Sequence, residues 1–583
     1  MEIQDDYFPE PAESGGRRRT TLIVTCTVLV VISCCCILAA GLIAYLDPFD
    51  WNLIARLTGR YDAAAEAVPA DAAAFVGIDL LRLRSADADR IFNVFAESVP
   101  ESQFSSADDF LQDLDEEMER DAGFNLTDDV LPWVGQHAGF GITDLQVNTF
   151  GEVDRVEFIF AAAIRDRAAA EAFSLLLQNQ VEAQSGETIQ TSEHAGATIF
   201  HLPGFQGDGI AFAIHRGTFL LAMDAGAIRA SIDAKAGESF MDTQTFRDLT
   251  GELPAEALLT VFVRAGLIDQ LTGSAATGAV SATMSYAMTP FETGAFAFSF
   301  VPAGIRVDYA VSYDPENASE LRRQQLDLQT ARTTIDARLP ENTLLFVGGR
   351  GLHLTYPLMR EQMAASELTA FEESMAAFEE ELGFNLETDL LANLDGEYAL
   401  AVLPNNDGFL AAQDIDLGLA LLFETGNPAG LNPVLSGIEN LLTNELGTAP
   451  EAIDLNGRMI YQVADLFLGE VLAYGVVDDL FLVTTSASLA RDLLEDRPSL
   501  QGSVDYQSIW SALPDGLNPV VYLDMGGLLA TIREGMTASD REDFNIEIGA
   551  ALGPIDFIAM GNRQPRPDLQ LGTLIVFISG GSE

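Results

Sequence analysis

The side chains that most often carry chemistry in proteins are few in this sequence of 583 residues. Lys235 is the only lysine, so Schiff-base chemistry and a phosphate-loop lysine would both depend on it. Its context, SIDAKAGES, is typical of neither a buried amine nor a glycine-rich phosphate loop, and we expect neither chemistry. No two histidines have the HExxH spacing of a zinc protease, so we interpret all five as scattered surface or half-buried imidazoles: His137, His194, His201, His215 and His353.

Sequence motifs for nucleophilic catalysis and for nucleotide binding are missing. There is no GxSxG elbow, no GxxxxGK[ST] loop and no GxGxxG placed between a strand and a helix. Acidic pairs abound in so acidic a chain, so a hydrolase using paired carboxylates stays open as an alternative, although no pair stands out. The sequence therefore predicts a protein that is not an enzyme, with no catalytic, cofactor-binding or metal-binding residues.

The charge balance narrows the possible partners. Lysine and arginine total 31 and aspartate and glutamate 88, which gives 31 − 88 = −57. Such a surface repels phosphate backbones, and we expect no nucleic-acid partner. The acidity is typical of a hydrated, soluble surface, and loose accumulation of cations such as calcium is the alternative.

One uncharged run, residues 21–46, is long enough to cross a membrane. As a helix its 26 residues would reach about 39 Å. Arginines at 17–19 precede it, so the positive-inside rule predicts a cytoplasmic disordered tail at 1–20, a juxtamembrane segment at 47–65 and an extracytoplasmic remainder. A cleaved signal peptide or lipoprotein processing at Cys34 are alternatives, but the run is longer than either needs. We therefore expect an uncleaved signal-anchor helix whose partner is the lipid bilayer.

All four cysteines lie within that apolar run: Cys26, Cys34, Cys35 and Cys36. The acidic remainder of the chain therefore has no thiol for an internal disulfide, a metal cage or a nucleophile. Its stability must come from burial and hydrogen bonding.

The heptapeptide GFNLTDD at 123–129 returns as GFNLETD at 383–389. Five such pairs of similar segments follow one another in the same order, at spacings of 260 to 271 residues. This pattern predicts an internal duplication into two tandem domains, 66–330 and 336–583. The polar stretch 322–338 would join them as a helical connector.

Each copy is typical of an α+β domain. An apolar strand precedes an acidic helix, and Gly123 or Gly383 falls where that helix needs a left-handed residue to end it. Asn125 or Asn385 can then cap the next short helix, so the repeated heptapeptide predicts a helix–turn–helix joint, with a metal site as the alternative. Alternating apolar strands follow, and we expect a largely antiparallel sheet packed by helices and covered on one side.

Four segments span most of residues 66–270: VPADAAAFVGIDL, GFNLTDDVLPWVG, VEFIFAAAIRDRAAAEAF and FLLAMDAGAIRASID. Together they resemble a bacterial family known as domain of unknown function 3352. A fainter second coverage runs over 337–533, where LLANLDG replaces the Pro-Trp of the first copy. The resemblance implies a membrane-anchored, extracytoplasmic bacterial protein and supplies no activity or site residues.

The anchor, the duplication and the missing catalytic motifs together favour one function. We expect an uncharacterised, non-enzymatic binding or structural module of the cell envelope, tethered to the membrane. Binding or sensing of an apolar ligand such as a lipid is the first alternative, because runs such as FVGIDLL and LLFVG are suited to line a pocket. An extracytoplasmic hydrolase is the second alternative.

Overall fold

The alternating apolar residues form twenty strands within the part of the chain that the computed structural model describes. The described residues are 62–83, 85–98, 106–147, 153–205, 208–235, 237–267, 291–316, 318–363, 365–408, 410–413, 415–465 and 469–578. The predicted tail, the predicted membrane helix and nearly all of the predicted juxtamembrane segment lie outside them. Among the described helices, none combines the length and the apolar content needed to span a bilayer.

The strands are short to medium in length and take the following bounds: β1 Ala74–Asp79, β2 Val134–Val147, β3 Val153–Ile164, β4 Gln190–His194, β5 Ala197–Phe205, β6 Asp208–His215, β7 Thr218–Ala222, β8 Leu259–Arg264, β9 Phe291–Val301, β10 Gly304–Tyr313, β11 Leu345–Arg350, β12 Glu397–Pro404, β13 Leu417–Glu424, β14 Glu451–Leu455, β15 Arg458–Asp465, β16 Gly469–Val477, β17 Leu480–Thr484, β18 Asn518–Asp524, β19 Ile555–Arg566 and β20 Leu569–Ile578.

The helices have these bounds: α1 Leu80–Leu83, α2 Ala86–Ser98, α3 Ala107–Ala122, α4 Arg167–Ser185, α5 Ala225–Ala234, α6 Gln244–Glu252, α7 Glu320–Gln329, α8 Leu352–Gln362, α9 Ala365–Leu382, α10 Asn432–Leu446, α11 Ala487–Leu494, α12 Val504–Ser511, α13 Met525–Gly535, α14 Ala538–Phe544 and α15 Ala550–Leu552. The predicted connector between the two copies therefore contains a helix, α7.

All strand pairs are antiparallel, and they join into one sheet. The first half runs in the order β4-β5-β6-β7-β3-β2-β1-β8-β9-β10. The second half runs β14-β15-β16-β17-β13-β12-β11-β18-β19-β20, which is the same order strand for strand. Pairing of β10 with β20 joins the halves. The α+β class with a large antiparallel sheet is confirmed, while the domain boundaries at 66–330 and 336–583 stay predictions.

Helices cover both faces of this sheet, so the expected one-sided cover is wrong. Leu422 and Phe423 are neighbours in β13 and therefore point to opposite faces. Leu422 packs in a buried cluster with α11 and α12, whereas Phe423 packs against the cluster that contains Val434 of α10. Both faces are apolar at this strand because both are covered, and a strand covered twice loses its polar alternation.

The repeated heptapeptide forms the predicted joint. Gly123 and Gly383 end their helices with φ of +74° and +75°, a conformation that residues with a Cβ adopt at a cost. The side chains of Asn125 and Asn385 then accept hydrogen bonds from backbone N–H groups three residues on, at 2.9 and 2.8 Å. The turn that follows is π-helical in both copies, Leu126–Val130 and Leu386–Leu390, rather than an ordinary short helix.

Candidate functional site

Lys235 is more buried than its sequence context predicts. Its side chain is 7% exposed, and its Nζ lies 3.2 Å from a carboxylate oxygen of Glu66 and 2.5 Å from the Thr218 hydroxyl oxygen. The expectation that it is not a buried amine was therefore wrong, because the end of α5 packs onto the turn that holds Glu66. The amino group is therefore engaged by Glu66 and Thr218 within the packed structure.

Two of the histidines have specific neighbours. His194 contacts Asp233 at 2.8 Å, with both side chains partly exposed. Burial lowers the pKa of His215, and the neighbouring Arg216 lowers it further. Within the described ranges no three His, Cys, Asp or Glu side chains converge as metal ligands would.

A cavity of about 700 Å³ opens beside the short helical turn Ile335–Arg338 and helix α12. We call it the Asp336 cavity. Asp336, Tyr506 and Trp510 form part of its wall. The lining also includes one cation, one anion and other polar or apolar side chains: Arg332, Asp515, Gln501, Gln507, Leu517 and Pro519. Its volume lies within the range of about 300–1,000 Å³ typical of small-molecule sites.

Local sequence explains how these side chains meet. The Ser503 hydroxyl accepts a hydrogen bond from the N–H of Tyr506 at 3.1 Å and so begins α12. Tyr506 and Trp510 are four residues apart and therefore lie on one face of that helix. The N–H of Leu500 donates to the carbonyl of Leu339 at 2.7 Å, which ties the segment before α12 to the turn that carries Asp336.

Asp336 and Tyr506 form a buried hydrogen-bonded pair. The phenol donates to Oδ2 of Asp336 at 2.8 Å, and the two residues are only 1% and 3% exposed. Burial raises the pKa of Asp336 above its usual value, the hydrogen bond from Tyr506 opposes this, and the charge of Glu397 adds to the rise. Burial likewise raises the pKa of Tyr506, so its hydroxyl keeps its proton.

Two polar atoms of this wall have no hydrogen-bond partner among the described residues: Oδ1 of Asp336 and Nε1 of Trp510. The indole ring lies 5.7 Å from the Tyr506 ring, centroid to centroid. Its N–H is near enough to the phenol to oppose the rise in pKa of Tyr506, but the geometry falls short of a hydrogen bond. Both atoms are buried within the wall and are not exposed to the cavity itself.

A second buried carboxylate holds the turn in place. Glu397 accepts hydrogen bonds from the N–H groups of Thr334 and Ile335 at 2.8 and 2.5 Å. It also pairs with Arg350. Because Thr334 and Ile335 directly precede Asp336, these contacts fix the backbone from which the Asp336 side chain projects.

A smaller cavity of about 210 Å³ lies on the other side of the same turn. Its three arginines are already held by carboxylates. Arg338 pairs with Asp479 at 2.7 Å and with Glu424 at 3.2 Å, and the other two lie within 4 Å of acidic oxygens: Arg458 and Arg497. Their charges are engaged, so this cavity is a weaker candidate than the Asp336 cavity.

The first half of the chain contains the same local fold. There the N–H of Phe240 donates to the carbonyl of Val68 at 2.7 Å, as Leu500 does to Leu339. Isolated bridges also correspond, Pro69 with Ser239 and Pro340 with Ser499. Counting from these anchors, Asp336, Tyr506 and Trp510 match Ala65, Phe246 and Thr250.

The matching positions of the first half carry no polar pair. Ala65 is fully buried and Phe246 is 5% exposed, and Phe246 packs against Phe240 at 5.2 Å. The matching positions therefore hold two buried apolar residues in one half and a buried carboxyl and phenol in the other. Burying polar groups costs free energy that an apolar pair does not, so the fold itself does not require Asp336 and Tyr506.

Sequence reasoning nominated no site residues and missed this cavity. The signal was present in the aligned repeats, where IDAR stands before LPENTLLFVG and AEA stands before VPADAAAFVG. A polar residue that replaces a small apolar one in a matched turn is informative only once burial is known. Burial cannot be judged from the sequence here, because both turns have the composition of short connecting segments.

The fold and the site define the class of protein. It is an α+β protein whose single antiparallel sheet consists of two halves with the same strand order, and its second half contains a polar cavity of ligand size. The chain belongs to the family described as "Protein of unknown function (DUF3352)", whose sequence profile matches residues 27–577.

No curated protein is similar enough to this chain to count as a match. Among solved structures, crystal form I of TP0453 is 7% identical, with 44% of this chain and 81% of that chain covered at a TM-score of 0.24. Crystal form III of TP0453 is 6% identical, with 47% and 90% covered at the same score. A likeness at that score carries no argument about fold or function.

Proposed function

We propose that this chain is a single-pass, membrane-anchored extracytoplasmic protein whose globular part is a non-enzymatic binding module, and that the Asp336 cavity binds its ligand. One observation carries the binding proposal: beside a cavity of about 700 Å³, the second half holds a buried carboxyl and phenol where the first half holds Ala65 and Phe246. The first half folds without that polar pair, so its presence beside the cavity favours a role in binding. The uncharged run at 21–46 supports the anchor, and the arginines before it support the orientation.

The two halves descend, in this proposal, from one duplicated ancestor. Five collinear sequence matches and the identical order of strand pairing support it. The first half then keeps apolar residues at Ala65 and Phe246, and the second half has acquired the polar pair. Duplication leaves one copy free to specialise while the other maintains the shared sheet.

The binding experiment uses the full-length chain, extracted gently from membranes and examined by native mass spectrometry. The wild type should retain a small molecule that the Asp336→Ala, Tyr506→Phe variant has lost. That variant carries the residues that the first half already accommodates, so the fold should persist. Equal retention by both proteins would show that the cavity is not the site.

Paired-carboxylate hydrolysis is the competing function, because Asp515 also lines the cavity. It predicts turnover of a glycoside or ester by the full-length chain and loss of that turnover in Asp515→Asn. Binding without turnover is expected here, since Oδ2 of Asp336 is held by Tyr506. Turnover that depends on both aspartates would replace the binding proposal.

The orientation of the chain across the membrane can be tested by thiol labelling, because the natural cysteines all lie between residues 26 and 36 and the globular part has none. Leu175 is 60% exposed, so Leu175→Cys places a single accessible thiol in the globular part. A membrane-impermeant maleimide should label this variant in intact cells. Labelling only after lysis would place the globular part inside the cell.

A second candidate, binding of a fatty acyl chain, is favoured by an apolar patch on β13. Phe423 is covered by α10, but Leu421 and Leu419 on the same face are 38% and 41% exposed. Leu400 and Val402 of β12 lie beside them in the sheet. Co-purification of lipid with the wild type and not with Leu419→Asp, Leu421→Asp would support it, and protein that is consistently free of lipid would count against it.

A further inference from the structure

One face of the sheet carries an unbroken row of apolar side chains that the helices leave partly uncovered. Residues directly opposite each other in an antiparallel pair lie on the same face of the sheet, so a row can be followed from strand to strand. In the second half the row starts in β13 and ends in β20: Leu421, Leu400, Val347, Val521, Met560 and Leu574. Leu421 is 38% exposed, and the other five side chains are half-buried.

The same row continues into the first half without a break. Val307 of β10 lies opposite Leu574 of β20, where the two halves join. Phe298, Leu259 and Ile78 then follow in β9, β8 and β1. Ile78 is 37% exposed, so both ends of the row are exposed. We call these ten residues the apolar row, and with strands about 4.8 Å apart its nine steps span roughly 43 Å.

The opposite face of the same strands is packed more completely. Phe346 of β11 is fully buried, whereas the next residue, Val347, is half-buried in the apolar row. Ala559 and Met560 of β19 differ in the same way. Because neighbours in a strand point to opposite faces, the sheet is sealed on one face and incompletely covered on the other. Apolar surface that stays uncovered over such a length marks a binding surface.

Helix α2 borders the middle of the apolar row. Its side chains pack against the neighbouring row of the same face, at Phe300, Ile305 and Val576. Ile305 and Val307 are two residues apart in β10, so the row that α2 covers lies about 7 Å from the apolar row. The helix therefore forms one wall beside the apolar row.

The composition of the apolar row is suited to hydrocarbon rather than to a protein partner. None of its ten side chains has a charge, a hydroxyl or an amide. Interfaces between proteins carry about one hydrogen bond per 100–200 Å², and these side chains cannot supply them. A second copy of this chain would also bring its own net charge of −57 against that of the first. An acyl chain needs no hydrogen bonds and meets no such repulsion.

The length of the apolar row and the proposed anchor both agree with lipid as the occupant. The hydrocarbon core of a bilayer is about 30 Å thick, so one acyl chain of a lipid extends about 15 Å. The apolar row is longer than two such chains laid end to end. Residues 47–61 connect the proposed anchor to Asp62 and reach at most about 50 Å when fully extended, so an anchored chain has bilayer lipid within reach.

We propose that the apolar row is a binding path for the acyl chains of membrane lipids and that it is continuous across both halves. Acyl chains lie along its half-buried side chains and enter or leave at the exposed ends, Leu421 and Ile78. Because the row crosses from β20 to β10, a chain bound in one half can pass to the other without entering water. This inference rests on the anchor and on the acyl-chain candidate of the proposed function, and it does not depend on the Asp336 cavity.

The test is photolabelling of the full-length chain in phosphatidylcholine nanodiscs. The probe is a fatty acid with a diazirine at the end of its hydrocarbon tail, and mass spectrometry identifies the labelled peptides. Peptides from residues 21–46 serve as the internal standard, because the proposed anchor contacts the bilayer in every variant. The expected result is labelling of β12 and β13 in one half, of β1 and β8 in the other, and of β10 and β20 between them.

Two variants place a carboxylate at either end of the apolar row: Leu421→Asp and Ile78→Asp. Covering an unpaired carboxylate with hydrocarbon is costly, so each change should lower labelling of the adjoining strands at least about tenfold relative to 21–46. Leu175→Asp is the matched control, since Leu175 is 60% exposed on α4 and lies outside the row. This control should be labelled as the wild type is. Circular dichroism checks that all three variants fold, and the map of the wild type tests the path without any substitution.

The outcomes separate this inference from the proposed function. Labelling confined to β12 and β13 would overturn the continuous path and leave the local acyl-chain candidate standing. Labelling of 21–46 with none on the strands would overturn both, since protein would then cover the row. Equal strand labelling in the wild type and in both end variants would show unspecific contact and overturn the path.

The anchor and the Asp336 cavity are judged separately. Labelled strands with an unlabelled run at 21–46 would contradict the anchor and with it the source of lipid on which the path depends. The variant Asp336→Ala, Tyr506→Phe should be labelled along the apolar row as the wild type is. Loss of that labelling would show that the row does not bind independently of the cavity, and would overturn the inference.

Discussion

The hydrogen bond between Asp336 and Tyr506 makes the sharpest prediction, because the first half shows what the fold does without it. Tyr506→Phe removes the side-chain donor that holds a buried carboxyl. Asp336→Ala leaves a phenol that is 3% exposed without its acceptor. Leaving a buried polar group unpaired costs about 1–3 kcal/mol, and each single variant should lose that much free energy of unfolding.

The double variant should lose less than the sum of the two single variants. It removes both polar groups together and places there the residue types of Ala65 and Phe246, which the first half buries. Replacing both partners of a buried polar pair by apolar groups of suitable shape is nearly neutral or stabilising. We therefore expect a coupling free energy of about 1–3 kcal/mol between positions 336 and 506.

The assay is urea unfolding in detergent, monitored by circular dichroism, of the full-length wild type, the two single variants and the double variant. Coupling appears as a difference between the double variant and the sum of the singles. Additive losses, with coupling below about 0.5 kcal/mol, would refute the reasoning, since independent sites add to within that margin. Tyr474→Phe is the control for loss of a phenol. Its hydroxyl has no partner among the described residues, so that change should be neutral or stabilising.

Three further predictions follow from buried charge and backbone conformation. Because burial raises the pKa of Asp336, the folded state holds that proton to higher pH than the unfolded state. Stability relative to Asp336→Asn should therefore be greatest below pH 3.8, fall as pH rises toward the raised pKa and level off above it, as urea midpoints would measure. Glu397→Gln should lower the free energy of unfolding by about 3–5 kcal/mol, because it breaks a buried ion pair. Gly383→Ala should cost about 1 kcal/mol for its positive φ, and Gly123→Ala more, because its Cβ would displace the Gln180 amide that donates to the Gly123 carbonyl.

Each of these has an outcome that contradicts it. A stability difference between wild type and Asp336→Asn that does not change with pH would show that Asp336 titrates normally. Breaking the exposed pair of Glu320 and Arg323 should cost only about 0–1 kcal/mol. If Glu397→Gln lowers the free energy of unfolding by no more than that, the pair of Glu397 and Arg350 does not stabilise the fold as a buried ion pair. If Gly383→Ala is at least as costly as Gly123→Ala, the side-chain contact at position 123 is not what distinguishes them.

Features decided by neighbours in the chain were predictable from sequence. The joint formed by the repeated heptapeptide is one example, because a glycine with positive φ and a capping asparagine act within a single turn. The α+β class and the antiparallel strands are another, since alternation and short polar turns are local signals. The collinear order of the repeated segments also aligns Ala65 with Asp336 from the sequence alone.

Features decided by contacts between distant residues needed the tertiary structure. The sequence context of Lys235 is typical of a surface residue, but in the folded chain α5 places its side chain beside Glu66. β10 and β20 pair across more than half of the described chain, and no local signal distinguishes that pairing from an exposed edge.

By itself the sequence determined the acidic charge, the uncharged run at 21–46 and the repeated pattern of strands and helices, since these depend on composition and short-range periodicity. The cavity was decided only by folding. Asp336 and Tyr506 are 170 residues apart and meet because separate strands pair and bring their flanking segments together. Burial and hydrogen-bond partners are properties of that packed arrangement, so a carboxyl that is one acid among 88 in the sequence becomes a distinct group only there.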